Sequence, residues 1–178
     1  MSEFDKLLIV FVCTVAGVCI FIGIPIMATF NNTQEVTMTK HKPKHTLQDL
    51  FKAIAKVETN GKLAKGDFGE IGTYQITKSY WQDAKMPYGQ HEWCWNDKYS
   101  QEVMVRYWHR YVPIALSQFG FEALCNVHNG GPNGWRDDPE WFVQYQGYTL
   151  ERAKQKIANV NAYWLKVKAE LENSELIE

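Results

Sequence analysis

Two acidic residues, Glu58 and Asp67, stand nine positions apart in settings of different polarity. Glu58 follows a helical pattern of apolar residues, whereas Asp67 lies between glycines. Cleavage of a glycosidic bond uses one carboxylic acid that stays protonated in apolar surroundings and a second carboxylate that stays charged in wetter ones. The two residues fit that division of roles. Their spacing leaves open whether the carboxyl groups lie at the distance of a retaining or of an inverting enzyme.

A predicted helix positions Glu58. Thr46, with Asp49 three residues on, resembles a helix-start box, and Asn60 or Gly61 supplies a left-handed stop. Apolar residues recur between them at helical spacing on one face: Leu47, Leu50, Phe51, Ile54 and Val57. Glu58 is therefore predicted to end a packed helix, partly shielded from water. An ordinary exposed glutamate at a helix end is the competing interpretation.

The segment 65–76 carries Asp67 on a glycine-rich turn. Gly66, Gly69 and Gly72, each three residues from the next, cannot form a helix interior. They predict a short irregular β-hairpin with close backbone turns. A helix, a loop and a hairpin of this length can fold back so that two carboxylates face one cleft.

The remainder of the folded part is predicted to be helical. Buried residues recur at helical spacing over 99–112, 121–128 and 150–170, and the run 129–134 breaks the chain sharply. The predicted fold class is mainly α (α+β), a helical domain with one small glycine-rich β-hairpin.

An uncharged apolar run, Leu7–Phe30, precedes this domain. As a helix it would be about 36 Å long, enough to cross a bilayer core. The start is not basic and no Ala-x-Ala ending follows, which disfavours a cleaved signal peptide. The sequence therefore predicts a short tail over 1–6, a transmembrane anchor over 7–30, a polar tether over 31–45 and a folded domain over 46–178.

The charge balance excludes some function classes. The chain carries 19 Lys and Arg against 20 Asp and Glu. Such a balance argues against nucleic-acid binding by bulk phosphate attraction. No second ligand stands at a metal spacing from His128, so neither a metal nor a cofactor is expected. Cys94 and Cys125 could pair outside the cytoplasm, but Cys125 lies in an apolar run typical of a buried thiol.

Two motif blocks carry a resemblance to a known family. The first block is similar to the catalytic stretch of the lysozyme superfamily. It begins at Glu58-Thr59-Asn60-Gly61, continues through Gly66-Asp67 and Tyr74-Gln75-Ile76, and ends at Tyr80-Trp81-Gln82-Asp83-Ala84. The later His128-Asn129-Gly130-Gly131-Pro132 resembles a signature of the invertebrate-type (destabilase-like) lysozymes and their bacterial and viral relatives. Two further stretches also match the family: Tyr107-Trp108-x-Arg110-Tyr111 and the closing Tyr163-Trp164-x-Lys166-Val167. With them the resemblance extends over roughly 46–168.

The resemblance implies roles for individual residues. The general acid of the family carries over onto Glu58 and its second carboxylate onto Asp67, with Glu70 as a competitor because the loop is shorter here. Family members with one essential carboxylate act as lytic transglycosylases. The resemblance also implies substrate contacts from four further residues: Tyr74, Gln75, His128 and Asn129.

These implications lead to one expected activity and several alternatives. The expected activity is that of a muramidase, which cleaves the β-1,4 bond between N-acetylmuramic acid and N-acetylglucosamine in peptidoglycan. The alternatives are a lytic transglycosylase, a chitin-directed glycosidase, and an inactive wall-binding or virion structural protein. The anchor suggests single-pass membrane attachment with a wall-facing domain, as in a virus or phage that opens a host wall. The lysines after the apolar run weakly favour the opposite orientation.

Overall fold

The computed structural model describes residues 44–118 and 120–174 of the chain. Its helices are α1 (Leu47–Thr59), α2 (Lys78–Ala84), α3 (Asp97–Tyr111), α4 (Pro113–Ser117), α5 (Phe121–Gly130), α6 (Pro139–Gln146) and α7 (Leu150–Ser174), with a 3₁₀ helix at His91–Trp95. The described part is thus mainly helical, as predicted. The predicted anchor, Leu7–Phe30, lies outside these residues, and none of the helices described is long and apolar enough to cross a membrane.

Helix α1 has the predicted start and end. The Thr46 side chain accepts a hydrogen bond from the Asp49 backbone N–H, and the Asp49 side chain accepts one from the Thr46 backbone, which completes a capping box. Asn60 adopts the left-handed conformation at φ 56° and ends the helix. Glu58 therefore lies in the last turn of a firmly capped helix.

The core lies where α1, α3, α5 and α7 meet. Phe51 of α1 stacks on Trp108 of α3 with ring centroids 5.7 Å apart, and both side chains are almost completely buried. Leu124 of α5 and Val167 of α7 are fully buried in the same cluster. Helix α7 packs against α1, α5 and α6, so this one long helix holds the two ends of the domain together.

The glycine-rich segment differs from the predicted hairpin. Two isolated antiparallel bridges, Lys65 to Ile71 and Ile71 to Ile76, are present in place of strands. The reason is local: Gly69, Gly72 and Gln75 all have positive φ, and such residues turn the chain too tightly for an extended ladder. The predicted hairpin is therefore not seen in the described part of the chain, and a tightly wound loop takes its place.

Helix α6 and the two cysteines of the domain remain to be compared with the sequence-based expectations. Helix α6 had no predicted counterpart, although Asp138 caps it and Pro139 occupies its first turn. Cys94 and Cys125 are both buried free thiols, and burial raises the pKa of Cys94 to about 11. They act as small apolar core residues.

Gly72 provides a test of how the loop is fixed. A methyl group on Gly72 would lie 2.1 Å from the Cys94 carbonyl oxygen, and its φ is +78°. We expect Gly72→Ala to lower the free energy of unfolding by about 3 kcal/mol, measured by urea denaturation. Gly61 has a similar φ of +74° but open space around it, so Gly61→Ala should cost only about 1 kcal/mol. Equal costs would contradict the close packing of the loop on the 3₁₀ helix.

Candidate active site

Glu58 lies in the wall of a polar cavity of about 400 Å³. Its side chain is only 19% exposed. The next residue, Thr59, donates a hydrogen bond from its hydroxyl to the Thr73 carbonyl at 3.0 Å, which ties the end of α1 to the glycine-rich loop. The helix and the loop therefore meet at this cavity, as the sequence analysis expected.

Two side chains from distant elements contact the Glu58 carboxyl group. The Tyr163 hydroxyl of α7 donates a hydrogen bond to Glu58 Oε1 at 2.7 Å. His128 Nε2 of α5 lies 3.6 Å from the same oxygen, and the histidine side chain is only 4% exposed. The carboxyl group is thus held between three helices.

These contacts decide the protonation state of Glu58. Burial is the largest single influence and raises the pKa, because a charge is poorly solvated there. The interactions with His128 and Tyr163 lower the pKa by more in sum, so it lies below its usual value. Burial raises the pKa of Tyr163 well above its usual value, and the neighbouring Glu58 charge raises it further, so Tyr163 remains a hydrogen-bond donor. These contacts therefore favour the charged carboxylate of Glu58, and not the neutral acid that apolar surroundings alone would give.

His128 is fixed from its other side. Its Nδ1 lies 3.3 Å from the Tyr80 hydroxyl, and Tyr80 stacks on Tyr107 with ring centroids 3.7 Å apart. Burial raises the pKa of Tyr80 well above its usual value, so this hydroxyl stays protonated and can donate to Nδ1. His128 Nε2 faces Glu58, and a proton on this nitrogen, in the charged ring or in the neutral Nε2–H tautomer, is directed at the carboxylate.

The structure separates the two candidates for the second carboxylate. Glu70 lines the same cavity as Glu58. Its Oε2 accepts a hydrogen bond from the Phe68 backbone N–H at 2.9 Å. Asp67 is exposed and is not among the residues that line this cavity. The cavity therefore brings together Glu58 and Glu70, and it does not include the residue that the sequence favoured.

Gly66 explains how Glu70 reaches this position. A methyl group at Gly66 would lie 2.4 Å from Glu70 Oε2 and 2.7 Å from Gln75 Oε1. Only a residue without a side chain leaves room for both polar groups.

Of the four residues predicted to contact substrate, three line the cavity and one is buried in the core. Gln75, His128 and Asn129 line the cavity. Gln75 Nε2 already donates to the carbonyls of Gly72 and Ala64, which leaves its Oε1 for another donor. Tyr74 is 3% exposed in the core, where its hydroxyl accepts a hydrogen bond from Gln101.

Some residues of the site had no role in the sequence analysis. The sequence assigns no role in the site to Tyr163 or Tyr80, although a buried tyrosine hydroxyl needs a polar partner and so signals one. Asp83 also lines the cavity, and the Arg110 guanidinium lies 4.0 Å from its carboxylate. No group of three His, Cys, Asp or Glu residues within 44–118 and 120–174 is arranged to hold a metal ion.

Two curated proteins are similar to the chain. A protein named lysozyme from Magallana gigas is 35% identical over 92 residues, which cover 51% of this chain and 63% of that protein. A protein named invertebrate-type lysozyme from Ruditapes philippinarum is 31% identical over 98 residues, which cover 52% of this chain and 72% of that protein. No family model matches the sequence, and no solved structure matches the chain.

The helical fold, the buried glutamate beside a polar cavity and these similarities together define a lysozyme-like protein. Within that class, the chain belongs to the invertebrate-type lysozyme family.

Tyr163 allows the electrostatics of the site to be tested. Replacing it with Phe removes one group that stabilises the charged Glu58, while the burial that raises the pKa remains. We therefore expect the pKa of Glu58 to rise in Y163F. The measurement is an NMR titration that follows the Glu58 side-chain carboxyl carbon against pH.

The same variant has a stability signature. A carboxylate whose pKa is lowered by folding stabilises the fold above its unfolded pKa, and this contribution is lost as the pH falls through the folded pKa. Y163F should therefore lose more unfolding free energy at about pH 7 than at about pH 3. Tyr74→Phe is the control, because that buried hydroxyl accepts its hydrogen bond from the Gln101 amide, whereas the Tyr163 hydroxyl donates to a carboxylate. A pH-independent loss in Y163F would contradict the role given to Tyr163.

Proposed function

We propose that the protein is a peptidoglycan hydrolase, a muramidase that cleaves the β-1,4 bond between N-acetylmuramic acid and N-acetylglucosamine. The observation that carries the proposal is the shared lining of one polar cavity by Glu58 and Glu70. Glu58 is fixed by helix packing, and Glu70 is carried by a glycine loop. Two carboxylates in such different settings can divide the work of acid and charge stabiliser.

Glu58 is the proposed general acid. The contacts with His128 and Tyr163 favour its charged form, so it must take up a proton before it can protonate the leaving oxygen. A bound saccharide would exclude water from the cavity, and loss of water raises the pKa of a carboxyl group. The Tyr163 hydroxyl holds Oε1 in place. The other carboxyl oxygen of Glu58 is left to face the substrate.

The second carboxylate belongs to the glycine-rich loop. Glu70 is favoured over Asp67 because Glu70 lines the cavity and Asp67 does not. The charged carboxylate would act as nucleophile or stabilise the oxocarbenium-like centre. Gln75 Oε1 and the Asn129 side chain are proposed to bind the N-acetyl group and the hydroxyls of a sugar ring. His128, which lies beside Glu58, is proposed to contact the same substrate.

Two other activities and one inactive role are the alternatives for the same cavity. A lytic transglycosylase would need Glu58 alone and would leave 1,6-anhydro ends, which mass spectrometry of the products detects. A chitin-directed glycosidase would turn over chitin oligosaccharides in preference to cell-wall sacculi. An inactive wall-binding or virion protein would bind sacculi and release nothing.

The proposed anchor, Leu7–Phe30, would hold the enzyme at a membrane with its domain on the wall-facing side.

Glu58→Gln tests the acid role. The amide keeps the shape of the side chain but cannot give up a proton, so lysis of purified sacculi should fall by about 10²–10⁴-fold. Circular dichroism should show an unchanged helical fold. Glu172→Gln is the matched control, an exposed glutamate at the far end of α7, and should keep wild-type activity. Lysis by E58Q at the wild-type rate would remove the assignment.

Two loop variants separate the candidates for the second carboxylate. We expect Glu70→Gln to lower the rate of sacculus hydrolysis by about 10²-fold or more, because the charge that faces the cavity is lost. Asp67→Asn removes the same charge from an exposed side chain three residues away and should change the rate by less than about threefold. The reverse order of effects would return the role to Asp67. No effect of either variant would favour the transglycosylase.

A further inference from the structure

A second cavity, of about 410 Å³, adjoins the cavity of Glu58. It lies between the end of α5 and the first half of α7, and we call it the basic groove. Asn129 lines both cavities, so a polymer bound at Glu58 could continue into the groove. The residues of the groove used below are Asn129, Tyr148, Arg152, Gln155, Lys156 and Asn159.

The groove carries two positive charges and no negative one. Arg152 and Lys156 are one helical turn apart on α7, and no acidic residue lines the groove. No salt bridge to either cation is present in the part of the chain that the structure describes. Like charges at this spacing repel each other, and burial together with the charge of Arg152 lowers the pKa of Lys156. A bound anion would relieve this repulsion.

Both cations are held in place before any ligand binds. Lys156 Nζ donates a hydrogen bond to the Gly130 carbonyl at 2.7 Å, which leaves two of its N–H donors for a ligand. The Arg152 guanidinium lies over the Tyr148 ring, 4.3 Å from its centroid. Stacking occupies the face of the guanidinium and leaves its edge, where the N–H groups are, for a carboxylate.

We infer that Arg152 and Lys156 form a subsite for the carboxylates of the peptide stem of peptidoglycan. This inference rests on the proposed function and adds the feature by which the enzyme would distinguish its substrate. Chitin is a neutral polymer of N-acetylglucosamine, whereas the stem attached to N-acetylmuramic acid carries free carboxylates and amides. The amide side chains of Asn129 and of the hydrogen-bonded pair Gln155 and Asn159 suit the peptide part of the stem.

The test measures binding in the full chain carrying Glu58→Gln, so that no ligand is cleaved. Three saccharides of equal length serve as probes: a peptidoglycan fragment with stems, the same fragment after an amidase has removed the stems, and a chitin oligosaccharide. We expect the stem-bearing fragment to bind at least about tenfold more tightly than the chitin oligosaccharide. Adding R152Q/K156Q should abolish this preference, as measured by isothermal titration calorimetry.

The control is K154Q/K166Q, which removes two exposed lysines of α7 that lie outside the groove. This control should keep the preference, and R152K should retain most of it because the charge remains. Equal weakening of all three probes by R152Q/K156Q would indicate a structural role and overturn the inference. A stripped fragment that binds as tightly as the stem-bearing one would show that the stem is not needed for binding in the groove and would overturn the stem assignment.

The outcome separates this inference from the proposed function. Should the wild-type chain cleave no sacculi while the stem preference still depends on Arg152 and Lys156, the proposed function fails and the subsite stands. Should it cleave sacculi while R152Q/K156Q binds every probe as the parent does, the function stands and the subsite fails.

Discussion

The hydrogen bond from Tyr163 to Glu58 is the interaction on which the site depends. It joins residues 105 positions apart in the chain and connects α7 to the last turn of α1. A buried carboxylate without such a partner would carry a desolvation cost of several kcal/mol. The docking of α7 and the burial of Glu58 therefore require each other. Since α7 also packs on α5 and α6, the position of the catalytic candidate is set by the whole helical domain and not by its own helix.

Two opposing influences act on the pKa of Glu58. Burial favours the neutral form of Glu58, while His128 and Tyr163 favour the charged form. A ligand that displaces water from the cavity would add to the desolvation of Glu58 and so act to raise its pKa. His128 in turn owes its orientation to Tyr80, so the aromatic stack behind it sets which nitrogen faces the carboxylate. Tyr80, which the sequence indicates only as a core residue, thus contributes to the electrostatic environment of Glu58.

Local patterns in the sequence predicted helix α1, but they did not predict which carboxylate of the glycine-rich loop lines the cavity. The cap at Thr46 and the stop at Asn60 are short-range features, so the sequence indicates α1 correctly. The choice between Asp67 and Glu70 depends on how the chain turns at residues with positive φ, and side-chain direction after such turns cannot be obtained from spacing. The sequence also did not indicate that Tyr163 of α7 is the partner of Glu58, because a buried tyrosine shows only that it needs some polar partner and not which one.

The run from His128 to Pro132 combines two kinds of constraint. His128 and Asn129 line the Glu58 cavity, where their polar side chains are available to a ligand. Gly130 serves packing, because a methyl group on it would lie 2.7 Å from Val160 of α7, while Gly131 has a φ of +77° that suits glycine. The close approach of α7 that Gly130 permits also places Lys156 within reach of the Gly130 carbonyl. One glycine therefore helps to position Tyr163 beside Glu58 and to fix a cation of the basic groove, which couples the two cavities through the same helix contact.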